Sequence, residues 1–130
     1  MAKREIKTDK VFATKGPYVQ GVEVTRGRVV YTSGFTARDR NGQVVAQGDI
    51  AGQTRQCLEN IRAVFEAAGG GLRDLVKMTV FLRDPKDYEA MHAVRREMLH
   101  GVAFASSTVQ APLMNPDALV EIEAVAAIGD

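Results

Sequence analysis

Apolar positions along this chain repeat with two periods, and the points where the period changes mark its elements. Residues 1–15 are polar, with Ile6, Val11 and Phe12 as anchors for a short edge strand. Tyr18–Thr25 alternates and reads as a strand. Arg26-Gly27 turns the chain, and Arg28–Ser33 returns as the second arm of a hairpin. From Ile50 to Ala68 the spacing becomes helical through Cys57, Leu58, Ile61, Val64 and Phe65. Asp49 is placed to cap this helix, and Gly69-Gly70-Gly71 to end it. Alternation resumes over Asp74–Leu82, with Val76, Met78, Val80 and Leu82 directed at the helices and Lys77, Thr79 and Phe81 away from them. Asp84-Pro85 pairs a cap residue with a first-turn proline, opening a second helix that runs to about Leu99 and buries Tyr88, Met91, Val94 and Met98. Two last strands, Phe104–Gln110 and Leu119–Ala127, flank a turn built on Pro112 and Asn115-Pro116-Asp117.

The order β-β-β-α-β-α-β-β predicts an α+β fold, two helices on one face of a mixed sheet, in a single domain over residues 1–130. The other face would carry Ser33, Lys77, Thr79, Phe81, Glu121 and Glu123 among Val29, Tyr31, Leu119 and Val125. A face so mixed suits a subunit interface enclosing polar pockets, hence an oligomer. Glu121 and Glu123 lie on one side of their strand and need a cation, water or a substrate beside them, because an unpaired buried carboxylate is costly.

Charge and composition narrow the picture. A formal charge of +1 gives no field to gather nucleic acid or an anionic membrane, and Arg38, Arg40, Arg95 and Arg96 are the only clustered cations. The single cysteine, Cys57, falls on the first helix's apolar stripe and is expected in the core of a reduced, cytoplasmic protein. The N-terminus has no apolar signal segment, and no stretch approaches the ~18 apolar residues of a membrane span. His92 and His100 have no cysteine near them, so no metal site is expected, and the three glycines after the first helix are a terminator rather than a phosphate loop.

Several segments, in order, resemble those of one family: Gly16-Pro17-Tyr18-Val19-Gln20-Gly21, Tyr31-Thr32-Ser33-Gly34, Gln53–Ile61, Val76–Leu82 and Leu119–Ala126 are similar to motifs of the Rid (YjgF) family, over roughly residues 16–127. The resemblance implies a chorismate-mutase-like fold and a homotrimer with sites in the clefts between subunits. It also implies hydrolysis of small enamines or imines to keto acids and ammonia, with neither metal nor organic cofactor. Carried over position by position, it implies ligand contacts at Tyr18, Ser33 and Gly34, with Phe35 beside them, and at His92 and Ser106, and makes Glu121 the residue that activates water. Ser106, Ser107 and Thr108 would act as hydrogen-bond donors to an anionic end of the ligand.

Two positions depart from the family pattern. His92 stands where an asparagine is usual, and Ser106 where an arginine is usual. A serine cannot clamp a carboxylate in the bidentate, charge-assisted manner of arginine. On this reading simple 2-imino acids should turn over weakly, and an arginine restored at 106 should raise turnover. An aminomuconate-type deaminase is one specialisation of this reading; a non-catalytic ligand-binding trimer, and a ribonuclease or translation inhibitor, are the alternatives. Glu121 itself is expected near Ser33 and the 106–108 segment.

Overall fold

The computed structural model describes residues 2–129. Lys3–Ile6 (β1) pairs antiparallel with Gly21–Val24 (β2) in a small separate sheet. Four further strands, Arg28–Tyr31 (β3), Leu75–Leu82 (β4), Ala105–Gln110 (β5) and Val120–Ile128 (β6), form the main sheet in the order β3-β6-β4-β5. Ile50–Ala67 (α1) and Tyr88–Met98 (α2) pack on it. The α+β class and the mixed sheet are as the sequence predicts, since β4 is parallel to β5 and antiparallel to β6.

Two pairings differ from expectation. β2 and β3 form no hairpin: β2 takes β1 as its partner, and β3 lies against β6. Gly27, at φ 89°, lets the chain pass from one sheet to the other within a short turn. The last two strands are not neighbours either, because β4 is inserted between them. Their connection must therefore cross the end of β4, and side chains hold it there. Gln53 Nε2 donates to the Asp117 carbonyl at 3.1 Å while its Oε1 accepts from the Leu119 amide at 2.8 Å. Arg83 Nε donates to Ala118 O at 2.8 Å, and its Nη2 to Asn115 O at 2.8 Å.

α1 forms where the helical spacing places it. Cys57, Leu58, Ile61 and Phe65 are buried along its inner stripe against Met78, Val80, Ile122 and Ala124 of the sheet. Asp49 caps it, its Oδ1 accepting from the Gly52 amide at 3.0 Å. Asp49→Ala should cost about 1 kcal/mol, the usual worth of such a cap, measurable by urea denaturation. α2 begins after a single 3-10 turn, Pro85–Asp87, capped by Asp84. In β4 a bulge between Leu75 and Lys77 reverses the expected facing at one position. Leu75 joins the main core, and Val76 packs on the other side with Ala2 and Ala127.

Candidate active site

Sequence expectation gathers the site residues in one place. Within one subunit the fold sorts them into two clusters.

The first surrounds Glu121. Between Tyr31 opposite Val125 and Phe35 opposite Ile122, β3 and its extension advance four residues while β6 advances three. The extra residue bulges out at Ser33-Gly34, and such bulges commonly re-aim groups beside a site. Phe35 re-locks the register with two bonds to Ile122, of 2.8 and 2.9 Å. Gly34 is thereby set so close to the Glu121 carboxylate that a Cβ there would overlap Oε2. A side chain at this position would push the carboxylate out of its present place. Ser33 is exposed on the bulge.

Glu121 is half-buried, and no ion pair among the described residues involves it. Lys77, the nearest candidate from sequence, instead donates to Ser107 Oγ at 3.2 Å. Glu121 forms the wall of a groove of about 690 Å³ that also contains Gly34, Phe35, Arg38, Arg40 and Asn60. The arginine-bearing loop is held in place: Asp39 Oδ1 accepts from the amides of Asn41 and Gln43, and Asn60 Nδ2 donates to Arg38 O at 3.0 Å. Behind the groove, Cys57 Sγ donates to Phe35 O at 3.2 Å.

The second cluster lies under α2. Register places Ser106 beside Met78 and Thr108 beside Val80, both core residues, so these side chains face the helices. Ser107 faces the opposite way. Glu121 is two strands from β5, with Phe81 of β4 between it and Val109. The 106–108 segment is therefore not beside Glu121 in the same chain, contrary to expectation. β4 intervenes, and the pleat turns two of the three side chains to the other face.

What Ser106 meets instead is Arg95, which the sequence offers only as one of four clustered cations and not as a site residue. Arg95 is fully buried. Its Nη1 donates to Ser106 Oγ at 2.7 Å and its Nη2 lies 2.8 Å from His92 Nδ1. Arginine can only donate, so Nδ1 accepts and the neutral ring carries its proton on Nε2. Burial, then the charges of Arg95 and Arg96, lower the His92 pKa from its ordinary value and keep the ring neutral. Tyr88 stacks on the imidazole with centroids 5.0 Å apart, and Tyr18 tilts against it at 5.9 Å. Gly16 approaches so closely that a Cβ there would come within 2.8 Å of His92 Nε2. Tyr18, His92 and Ser106 are thus brought together as the resemblance implies, around a cation it did not include. The signal was present in the spacing: Arg95 falls seven residues after Tyr88 on the stripe that also buries Met91. Its burial also means that Arg38, Arg40, Arg95 and Arg96 do not form one exposed basic patch.

Comparison with known proteins follows the same lines. A family model described as Endoribonuclease L-PSP matches residues 8–128. A 2-iminobutanoate/2-iminopropanoate deaminase of Escherichia coli K12 is 39% identical over 127 residues, 95% of this chain and 96% of that protein. A 3-aminoacrylate deaminase, RutC, of Acinetobacter baylyi is 42% identical over 110 residues, 85% of this chain and 86% of its own. Among solved structures, the Rid-family protein YyfB of Yersinia pestis superposes with a TM-score of 0.88 at 28% identity, over 98% of this chain and 100% of that one.

Proposed function

The chain belongs to the Endoribonuclease L-PSP (Rid) family, and from that premise we propose that it hydrolyses a small enamine or imine to a carbonyl compound and ammonia, with Glu121 activating the attacking water. One observation carries this reading: a half-buried carboxylate without an ion-pair partner, held open to a groove by a neighbour that has no side chain. The deaminases among its relatives support it.

The chemistry asks for little more. An enamine first tautomerises to the imine. Water then adds to the C=N carbon of the protonated imine as Glu121 takes a proton from it, giving a neutral carbinolamine. The carboxylic acid so formed returns that proton to nitrogen, and the C–N bond breaks as Glu121 takes the hydroxyl proton, releasing ammonia and the carbonyl compound. A positioned carboxylate that moves from base to acid within one turnover is suited to both steps.

Tyr18, His92 and Ser106 are separated from Glu121 within one subunit, so a complete site needs a second copy. The sheet face away from the helices is ready for one: Tyr31 is 75% exposed, and Val29 and Val109 are each 44% exposed. We expect a homotrimer in which the Glu121 groove of one subunit is completed by residues of the next. Light scattering at micromolar concentration should give three times the 14.1 kDa chain mass; a monomer mass would remove the composite site.

The activity is tested by ammonia release from 2-iminobutanoate generated in situ. Acceleration over the spontaneous rate is the expected result. None with 2-iminobutanoate, 2-iminopropanoate or 2-aminoacrylate would leave a ligand-binding protein.

A further inference from the structure

The Glu121 groove holds more chemistry than hydrolysis of a small imine uses. At about 690 Å³ it falls in the size range of pockets that enclose much larger ligands. Its lining has three kinds of surface: the Glu121 carboxylate, an apolar stretch of Phe35, Ala63, Val64 and Met114, and the Arg38 and Arg40 side chains. α1 shows how the charged parts are spaced. Cys57 Sγ donates to Phe35 O beside Glu121, and Asn60 Nδ2 donates to Arg38 O. Those two helix residues are three apart, so the arginine loop is anchored about 4.5 Å farther along α1 than the strand end that carries Phe35. The arginines thus belong to the far end of the groove.

Single arginines on a surface are ordinary, but this pair stands on a loop whose backbone is already fixed. Arg38 bridges to Val44, and the Val45 amide donates to Ala37 O at 2.8 Å. The Asp39 amide donates to Gln43 O, and the Gly42 amide to Asp39 O, both at 3.0 Å. Asp39 is the only carboxylate between residues 36 and 48, and its Oδ1 accepts from the Asn41 and Gln43 amides. Among the described residues no ion pair involves Arg38 or Arg40. Two guanidinium groups two residues apart, on a loop that loses little further freedom on binding, suit an oxyanion.

We propose that Arg38 and Arg40 form a distal subsite of the Glu121 groove for an anionic group, so that the preferred substrates are imines bearing a carboxylate or a phosphate-type group beyond an apolar chain. This rests on the imine-hydrolysis reading for what reacts at Glu121, but not for the existence of the subsite. The groove is then complementary along its length: its carboxylate faces the protonated imine, its apolar stretch the chain, and its two cations the tail. Opposite charges at opposite ends also set the direction in which a substrate lies, since the reversed pose brings like charges together at both.

The test is titration calorimetry on the assembled protein with three keto acids of one chain length. 2-Oxohexanoate ends in a methyl group, 2-oxoadipate in a carboxylate and 2-oxo-5-phosphonopentanoate in a phosphonate; the carboxylate beside the keto group is common to all three. The wild type should bind at least one of the last two about tenfold more tightly than 2-oxohexanoate, the joint contribution of two partly solvated charge contacts. That preference should shrink in high salt. Whichever of the two binds more tightly identifies the distal group as carboxylate or phosphate-type. Arg38→Gln/Arg40→Gln should erase the preference without lowering the melting temperature, because both side chains are exposed and unpaired. Arg38→Lys/Arg40→Lys keeps the charge and should retain more of the preference than the glutamine pair, which separates a lost contact from a disturbed loop. Arg26→Gln/Arg73→Gln removes the same charge from exposed positions outside the groove and should keep the preference whole. No preference in the wild type, one that survives Arg38→Gln/Arg40→Gln, or one lost equally in Arg26→Gln/Arg73→Gln would overturn the proposal. Distal-anion selectivity without ammonia release from any imine would sink the deaminase reading alone, and turnover without that selectivity would sink this one alone.

Discussion

Glu121→Gln should lower imine hydrolysis by about 10²–10⁴-fold, the usual contribution of a positioned general base. Affinity for the keto acid and the melting temperature should stay near wild type. Glutamine keeps the shape and one acceptor oxygen but cannot take the proton from water. The structure makes a selective outcome possible, because no ion pair among the described residues involves the carboxylate and none is lost with it. Steady-state ammonia release, keto-acid titration and thermal unfolding on this one variant separate the readings. A drop in stability with proportionate loss of every activity would make Glu121 a structural residue, and unchanged turnover would place the base elsewhere.

Ser106→Arg should behave in the opposite sense to what the sequence suggests. Read from the strand alone, it restores a clamp and raises turnover. In the fold, Ser106 Oγ lies 2.7 Å from Arg95 Nη1, inside the helix-facing layer. A second guanidinium there would set two like charges about 4 Å apart, worth about 4 kcal/mol at an effective dielectric of 20. A loss of that size should lower Tm by on the order of 10–20 °C in a chain of this length. Ser106→Arg/Arg95→Met leaves one cation in the same cluster and should recover most of the loss. Thermal unfolding of the single and double variants checks both statements. A single variant as stable as wild type and more active would return the charge to β5.

What could be read from the sequence was whatever depends on local spacing. α1, with its Asp49 cap and the glycines after it, and the Asp84-Pro85 start ahead of α2, follow from neighbours within a turn or two. Strand partnership does not. Nothing in Tyr18–Thr25 states that it will pair with β1 rather than β3, since both choices bury the same alternation. The bulges at Leu75–Lys77 and at Ser33-Gly34 were equally hidden, because a one-residue slip is set by the partner strand. Their consequences run straight into the site, since the second bulge is what places Gly34 on Glu121. Ser106 was legible in part: as a neighbour of Phe104 on an alternating strand it shares the core-facing parity. Arg95 was legible in spacing but illegible in kind, because an arginine on an apolar stripe contradicts the pattern that defines the stripe.

Cys57 gains a meaning from its place behind the groove. Burial, reinforced by the Glu121 charge, pushes its thiol up to about 12. At neutral pH only about one molecule in 10⁵ would then hold a thiolate, the form that attacks electrophiles. The imine tautomer is an electrophile at its C=N carbon, and a thiolate is a nucleophile able to add there. The only sulfhydryl here is kept protonated, has no exposed surface and donates its proton to Phe35 O. The carboxylate proposed to spend such compounds on water thus also helps to keep the neighbouring sulfur from being alkylated by them, so that the catalyst would not be used up by its own substrate.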